Sequence, residues 1–144
     1  MALNINVDGK TAHFANGSRN NDRDDPAVLL IHGAGLDRTI WQMQTRNIAF
    51  QGRRVFAVDL PGHGYSEGPA LETVEEIADW MTRFMAAVEV VSATVMGHSM
   101  GSLVALDLAS RYPDRVDRLI LTGVAESMPV HPELMAAAKA DEPL

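Results

Sequence analysis

Polar and apolar positions alternate through the first fifteen residues, with Leu3, Ile5 and Val7 on one side of an extended chain. Asp8 and Gly9 then form a two-residue hairpin signal, and residues 11–14 can return as a second strand. Residues 17–25 are polar and charged, the pattern of a solvated loop. The pattern changes after that. Ala27–Ile31, residues 55–58 and residues 93–96 are continuously apolar, as expected of strands covered on both faces of a parallel sheet. Residues 118–122 fit the same description.

Helical spacing separates these runs. From Thr73 onward, Val74, Ile77, Ala78, Met81, Phe84, Met85 and Val88 form a stripe with a period near 3.6. Thr73 with Glu76 three residues later is a capping-box signal for the start of that helix. Leu103, Leu106, Ala109 and Tyr112 mark a helix after the third run, stopped at Pro113, and a less distinct one spans 41–50 before Gly52. Strand and helix alternate, which predicts right-handed crossovers and a mostly parallel, doubly wound α/β sheet. No internal repeat, low-complexity tract or linker interrupts it, so one domain is expected.

Composition narrows the picture. The 144 residues include 12 Lys and Arg against 19 Asp and Glu, a formal charge of −7, with 47% hydrophobic and 22% charged residues. That is too apolar for a disordered chain and too acidic for a nucleic-acid binder, which needs a basic face. With no cysteine there is no disulfide framework, thiolate zinc site or thiol nucleophile. No apolar run is long enough for a membrane span, and MALNINVDGK lacks the layout of a secretory signal, so a cytoplasmic location is expected.

The sharpest chemical signal is Gly97-His98-Ser99-Met100-Gly101, a G-x-S-x-G between an apolar strand and a helix. A serine lifted above a strand end on a tight turn brings backbone close on either side, and the flanking glycines remove side chains that would clash. The helix that follows aims its N-terminal amides and dipole at developing negative charge. Acyl transfer needs two backbone donors for the oxyanion. One is the residue after the nucleophile, here Met100; the other comes from the loop after the first buried strand, His32-Gly33-Ala34-Gly35, where Ala34 is the best candidate. A plain glycine-rich strand-to-helix turn is the bland alternative for that loop.

In this context the sequence resembles the α/β-hydrolase superfamily, in particular esterase-like members with an HG-x-G loop. The matching pieces run in order: LLIHGAG, Trp41, VFAVDLPGHGYS, VMGHSMGSLVAL and LILTG, covering roughly 27–125 with the N-terminal hairpin also fitting. The resemblance implies a Ser-His-acid triad with Ser99 as nucleophile and Ala34 and Met100 as oxyanion donors. It implies a small-molecule acyl substrate, a carboxylic ester or a relative. No phosphate loop or dinucleotide fingerprint is present and His32 and His63 lack a third ligand, so no cofactor or metal is expected. Serine at the elbow disfavours dehalogenase and epoxide-hydrolase relatives, which use aspartate there.

The departure is as informative. The family order is Ser, acid, His, yet His131 is the only histidine after Ser99. The expected unit is therefore a partial core, with a hairpin over 1–15, a core over 26–125 and the start of a lid over 126–144. Its sheet would be incomplete at the C-terminal edge, lacking the last strands and most of the lid. His32 is expected to brace its loop, His63 to serve its turn, and His98 to turn away from Ser99. His13 is expected on the surface far from the active edge. His131 is either a mobile base or an exposed residue before a short helix. Glu126 reads as a solvated carboxylate and Asp59 as a group fixing its own turn. Met96 and Met100 read as packing around the elbow. Three functions remain open: a serine hydrolase, a catalytically weak half-hydrolase, and a non-catalytic binding or assembly protein. An apolar edge at 118–122 would invite either a homodimer or a complementing C-terminal half.

Overall fold

A computed structural model describes residues 2–140; residues 1 and 141–144 of the expected hairpin and lid segments lie outside the described residues. Strands β1 (Ala2–Val7) and β2 (Lys10–Ala15) form the hairpin, turning at Asp8 and Gly9 with φ of 54° and 80°. Positive φ at both positions is what a two-residue turn matched to strand twist requires. β3 (Ala27–Ile31), β4 (Arg54–Val58), β5 (Ala93–His98) and β6 (Val116–Thr122) are mutually parallel. The sheet order is β1-β2-β4-β3-β5-β6, with β2 antiparallel to β4.

Both faces of the central strands are covered, which explains their unbroken apolarity. On one face Val28 and Leu30 of β3 and Val55 and Ala57 of β4 pack with Trp41 and Ala49, on and beside α1 (Gln42–Phe50). On the other, Leu29, Ile31, Phe56, Val58 and Val95 pack under α2 (Val74–Ala87) and α3 (Met100–Arg111). Phe84 of α2 is fully buried there, edge-on to Phe14 and Phe56 and stacked on Trp80. Burying a side chain of that kind contributes about 1.5–3 kcal/mol.

α2 starts where the sequence predicts. The Thr73 hydroxyl accepts the Glu76 N–H at 3.1 Å, and the Glu76 carboxylate accepts the Thr73 N–H at 3.1 Å. Two expectations need correction. In α3 the buried face is Gly101, Ser102, Val104, Ala105 and Leu108, while Leu106 of the expected stripe is 47% exposed. Small residues at 101 and 102 let the helix start lie directly on the end of β3, and that contact sets which face turns inward. In β6 Val116, Leu119 and Leu121 pack on the α2–α3 core; Ile120 and Arg118 are exposed. α1 covers β3 and β4 but does not extend over β6. Among the described residues β6 is an edge strand, paired only with β5.

Candidate active site

The carboxyl ends of β3, β4, β5 and β6 gather the polar groups, as open parallel sheets generally arrange their sites. Ser99 links β5 to α3 with φ 55° and ψ −117°, a conformation rarely adopted by residues with a side chain. The packing around it dictates both glycines. A Cβ on Gly97 would lie 2.1 Å from the Gly101 carbonyl oxygen, and one on Gly101 would lie 2.1 Å from the Ile31 carbonyl oxygen. The strand end, turn and helix start are thus pressed together tightly enough to hold the serine in its strained state.

Edge strand β6 completes the clamp. The Ser99 N–H donates to the Thr122 carbonyl at 2.9 Å. The fully buried Ser102 hydroxyl lies 2.8 Å from the carbonyl oxygens of both Gly97 and Thr122, and accepts the Thr122 N–H at 3.1 Å. The Thr122 hydroxyl donates to the Gly97 carbonyl at 3.0 Å. The sequence reading did not single out Ser102 or Thr122, because hydroxyls in a helix and a strand carry no local signature.

The loop after β3 faces the serine. A Cβ on Gly33 would lie 3.3 Å from Ser99 Cβ, so a larger residue there would crowd the side chain. Ala34 is exposed in a turn closed by the Leu36 N–H on the Gly33 carbonyl at 3.2 Å. Met100 occupies the first position of α3, where a helix supplies no internal acceptor for the N–H. The structure therefore brings Ser99, the Ala34 loop and the Met100 amide to one edge.

His32 does not join them as a base. It is fully buried, its Nδ1 donates to the Gly33 carbonyl at 2.8 Å, and its Nε2 accepts the Leu60 N–H at 3.1 Å. An acceptor at Nε2 fixes the neutral tautomer with its proton on Nδ1. Burial pushes the imidazole below its ordinary value; the Gly33 hydrogen bond opposes this, and His63, 5.1 Å away ring to ring, adds to it.

Asp59 is also fully buried. Its carboxylate accepts the Arg38 N–H and Nη1, each at 2.8 Å, and the Tyr65 N–H at 3.0 Å. A Cβ on Gly64 would lie 2.3 Å from Asp59 Oδ2, so glycine is required there. Removing one partner of such a buried pair costs about 3–5 kcal/mol because it strands the other charge. Asp59 fixes its turn as expected, but its pairing with Arg38 of the β3 loop is invisible in the sequence. Asp37 beside it caps the turn Arg38–Trp41, and hydrogen bonds from the Thr39 hydroxyl and amide hold its carboxyl below the usual range.

None of the remaining histidines hydrogen-bonds the Ser99 hydroxyl. His98 Nδ1 approaches the Thr122 hydroxyl at 3.3 Å, and His63 Nδ1 donates to the Pro61 carbonyl at 3.0 Å. His131 accepts the Glu133 N–H at 3.3 Å, at the start of α4 (Pro132–Ala140), and is exposed. Glu126 is exposed after β6. His13 departs from expectation. Because β2 runs against β4, the start of β2 lies at the carboxyl end of the parallel strands. His13 is half-buried there, its carbonyl accepting the Asp59 N–H at 2.8 Å and its N–H donating to the Ser66 hydroxyl at 2.8 Å. Burial, and then the Arg38 charge, push its imidazole below the ordinary value. Among the described residues no partner hydrogen-bonds the Ser99 hydroxyl, and no three His, Asp or Glu side chains gather to hold a metal.

A strained serine on a strand-to-helix turn, at the carboxyl edge of an open, mostly parallel sheet, sits in a doubly wound α/β fold. The chain belongs to the alpha/beta hydrolase fold family, whose sequence pattern matches residues 26–142. It is 39% identical over 114 residues to the pimeloyl-[acyl-carrier protein] methyl ester esterase of Aromatoleum aromaticum, covering 78% of this chain and 42% of that protein. An uncharacterized protein of Mycobacterium tuberculosis is 40% identical over 97 residues, covering 67% of this chain and 28% of the relative. The crystal structure of a bacterial membrane phospholipase A superposes with a TM-score of 0.79 at 31% identity, covering 99% of this chain and 46% of that one. The chain thus spans less than half the length of each of these relatives. Among the described residues no helix is long and apolar enough to cross a membrane.

Proposed function

We propose that this chain carries the nucleophile and the oxyanion donors of a serine hydrolase acting on carboxylic esters or related acyl substrates. Ser99 Oγ attacks the acyl carbonyl while its proton passes to a general base. The carbonyl oxygen, now negative, is held by the N–H groups of Ala34 and Met100. Collapse expels the alcohol and leaves an acyl-enzyme, which water hydrolyses by the reverse proton route. Neither His32 nor His131 hydrogen-bonds the serine here, so the reaction requires that a base reach Ser99, from His131 on approach or from a partner chain.

One observation carries this reading: Ser99 is held at φ 55° between two glycines that packing makes obligatory. Strain of this kind costs of order 1–3 kcal/mol and is characteristic of reactive turns. The esterase similarity agrees with an ester as substrate. The test is intact mass after exposure to a fluorophosphonate, with Ser99→Ala as control. A single phosphonyl adduct that disappears in the control is expected. A folded protein that never labels, or one whose adduct persists in Ser99→Ala, overturns the assignment and favours a ligand-binding role for the fold.

A further inference from the structure

We propose that Arg38 and Asp59 are positioning residues for the loop after β3, a buried ion pair that sets where the Ala34 amide points. The inference rests on the reading of Ser99 and Ala34 given above and adds what holds the second donor in place.

The loop is anchored at both ends to two consecutive residues. At its entrance His32 Nε2 accepts the Leu60 N–H; at its exit the Arg38 N–H and guanidinium grip the two oxygens of Asp59. Between these anchors lie Gly33, the exposed Ala34, Gly35 at φ 69°, Leu36 and Asp37. Two glycines in so short a segment allow many conformations, and the amide of Ala34 would sample them without the clamp. The clamp is itself fixed, because the Asp59 N–H is held by the His13 carbonyl and the Ser66 hydroxyl donates to the Asp59 carbonyl at 2.6 Å. The side-chain contacts of Asp59 go to Arg38 and the Tyr65 amide, and none goes to a histidine. The Arg38 side chain is 14% exposed and that of Asp59 0%. A buried pair of this kind adds little net stability compared with apolar packing, whereas a charge-assisted hydrogen bond from Nη1 beside the Arg38 N–H fixes the position of the loop exit.

The test compares Arg38→Met and Arg38→Lys with the unaltered 144-residue chain. Two quantities are read: amide hydrogen exchange at Leu36 and Leu60, with Phe84 as internal reference, and fluorophosphonate labelling of Ser99 against reagent concentration. Arg38→Met is expected to speed exchange at Leu36 and Leu60 about tenfold or more beyond any change at Phe84, whose protection follows the stability of the whole fold. Its maximal labelling rate should fall roughly tenfold to a hundredfold, the scale of a displaced oxyanion donor, with the half-saturating concentration little changed. Arg38→Lys, which keeps the charge, should recover much of both. Unchanged exchange at Leu36 and Leu60 overturns the proposal, as does an equal loss of protection at Phe84, which would mark a merely stabilising pair. Should Arg38→Met fail to fold, Asp59→Asn removes the charge without changing shape and is read the same way. If the unaltered chain does not label, the Ser99 assignment fails by itself, and exchange alone decides whether the pair fixes the loop.

Discussion

The Ser99 N–H donates to the Thr122 carbonyl at 2.9 Å, so the serine's backbone is held by the edge strand of the sheet as well as by its own turn. Ser102, the third residue of α3, joins the same two segments through its hydroxyl. The elbow and the end of β6 therefore form one hydrogen-bonded unit.

Ser102→Ala leaves the Thr122 N–H without its side-chain acceptor. An orphaned donor in a buried setting costs about 1–3 kcal/mol. The expected outcome is a lower urea midpoint by that amount, together with faster amide exchange at Thr122. Unaltered stability and exchange would mean that water replaces the hydroxyl without loss.

Gly101→Ala sets two effects against each other. Alanine is favoured over glycine inside a helix by about 0.8–1 kcal/mol. Yet the added carbon would lie 2.1 Å from the Ile31 carbonyl oxygen and 2.6 Å from that of His32, both rigid backbone. Overpacking of that severity costs roughly 3 kcal/mol or more and wins. Chemical denaturation should show clear destabilisation; a neutral or stabilised variant would show that α3 can shift away from β3.

Acid should weaken the fold through His32. Burial lowers its imidazole below the ordinary 6.5, so the unfolded chain binds a proton more readily than the folded one. The contribution to stability is complete above pH 6.5 and is lost progressively as pH falls below it. His32→Gln should flatten the decline in urea midpoint between pH 7.5 and 5. Parallel pH profiles for the two proteins would remove His32 as the cause; His13, shifted in the same direction, contributes equally to both.

β6 pairs on one side only among the described residues, and Ile120 on its open face is 40% exposed. Unpaired edges with apolar side chains attract other chains. The isolated 144 residues are expected to self-associate as concentration rises, with Ile120→Lys shifting the balance toward monomer in light scattering. A strictly monomeric unaltered chain at every concentration would refute an adhesive edge.

Local chemistry was enough to read much of this protein from its sequence. Continuous apolarity at Ala27–Ile31 already meant a strand buried on both faces, Thr73 and Glu76 a helix start, and Asp8-Gly9 a tight hairpin. Gly97, Ser99 and Gly101 pointed to a strained turn because only steric crowding calls for that spacing, and the φ of Ser99 agrees. What the sequence left open depends on partners distant in the chain. Arg38 meets Asp59 across 21 residues, Ser102 meets Thr122 across 20, and His13 reaches the site because β2 runs antiparallel to β4. Whether 118–122 is covered on one face or two depended on how far α1 reaches, and which side of α3 turns inward depended on Gly101 meeting the end of β3. Side-chain periodicity and turn chemistry act within a few residues and are written locally; a buried ion pair or a covered face exists only once the sheet has brought the two segments together.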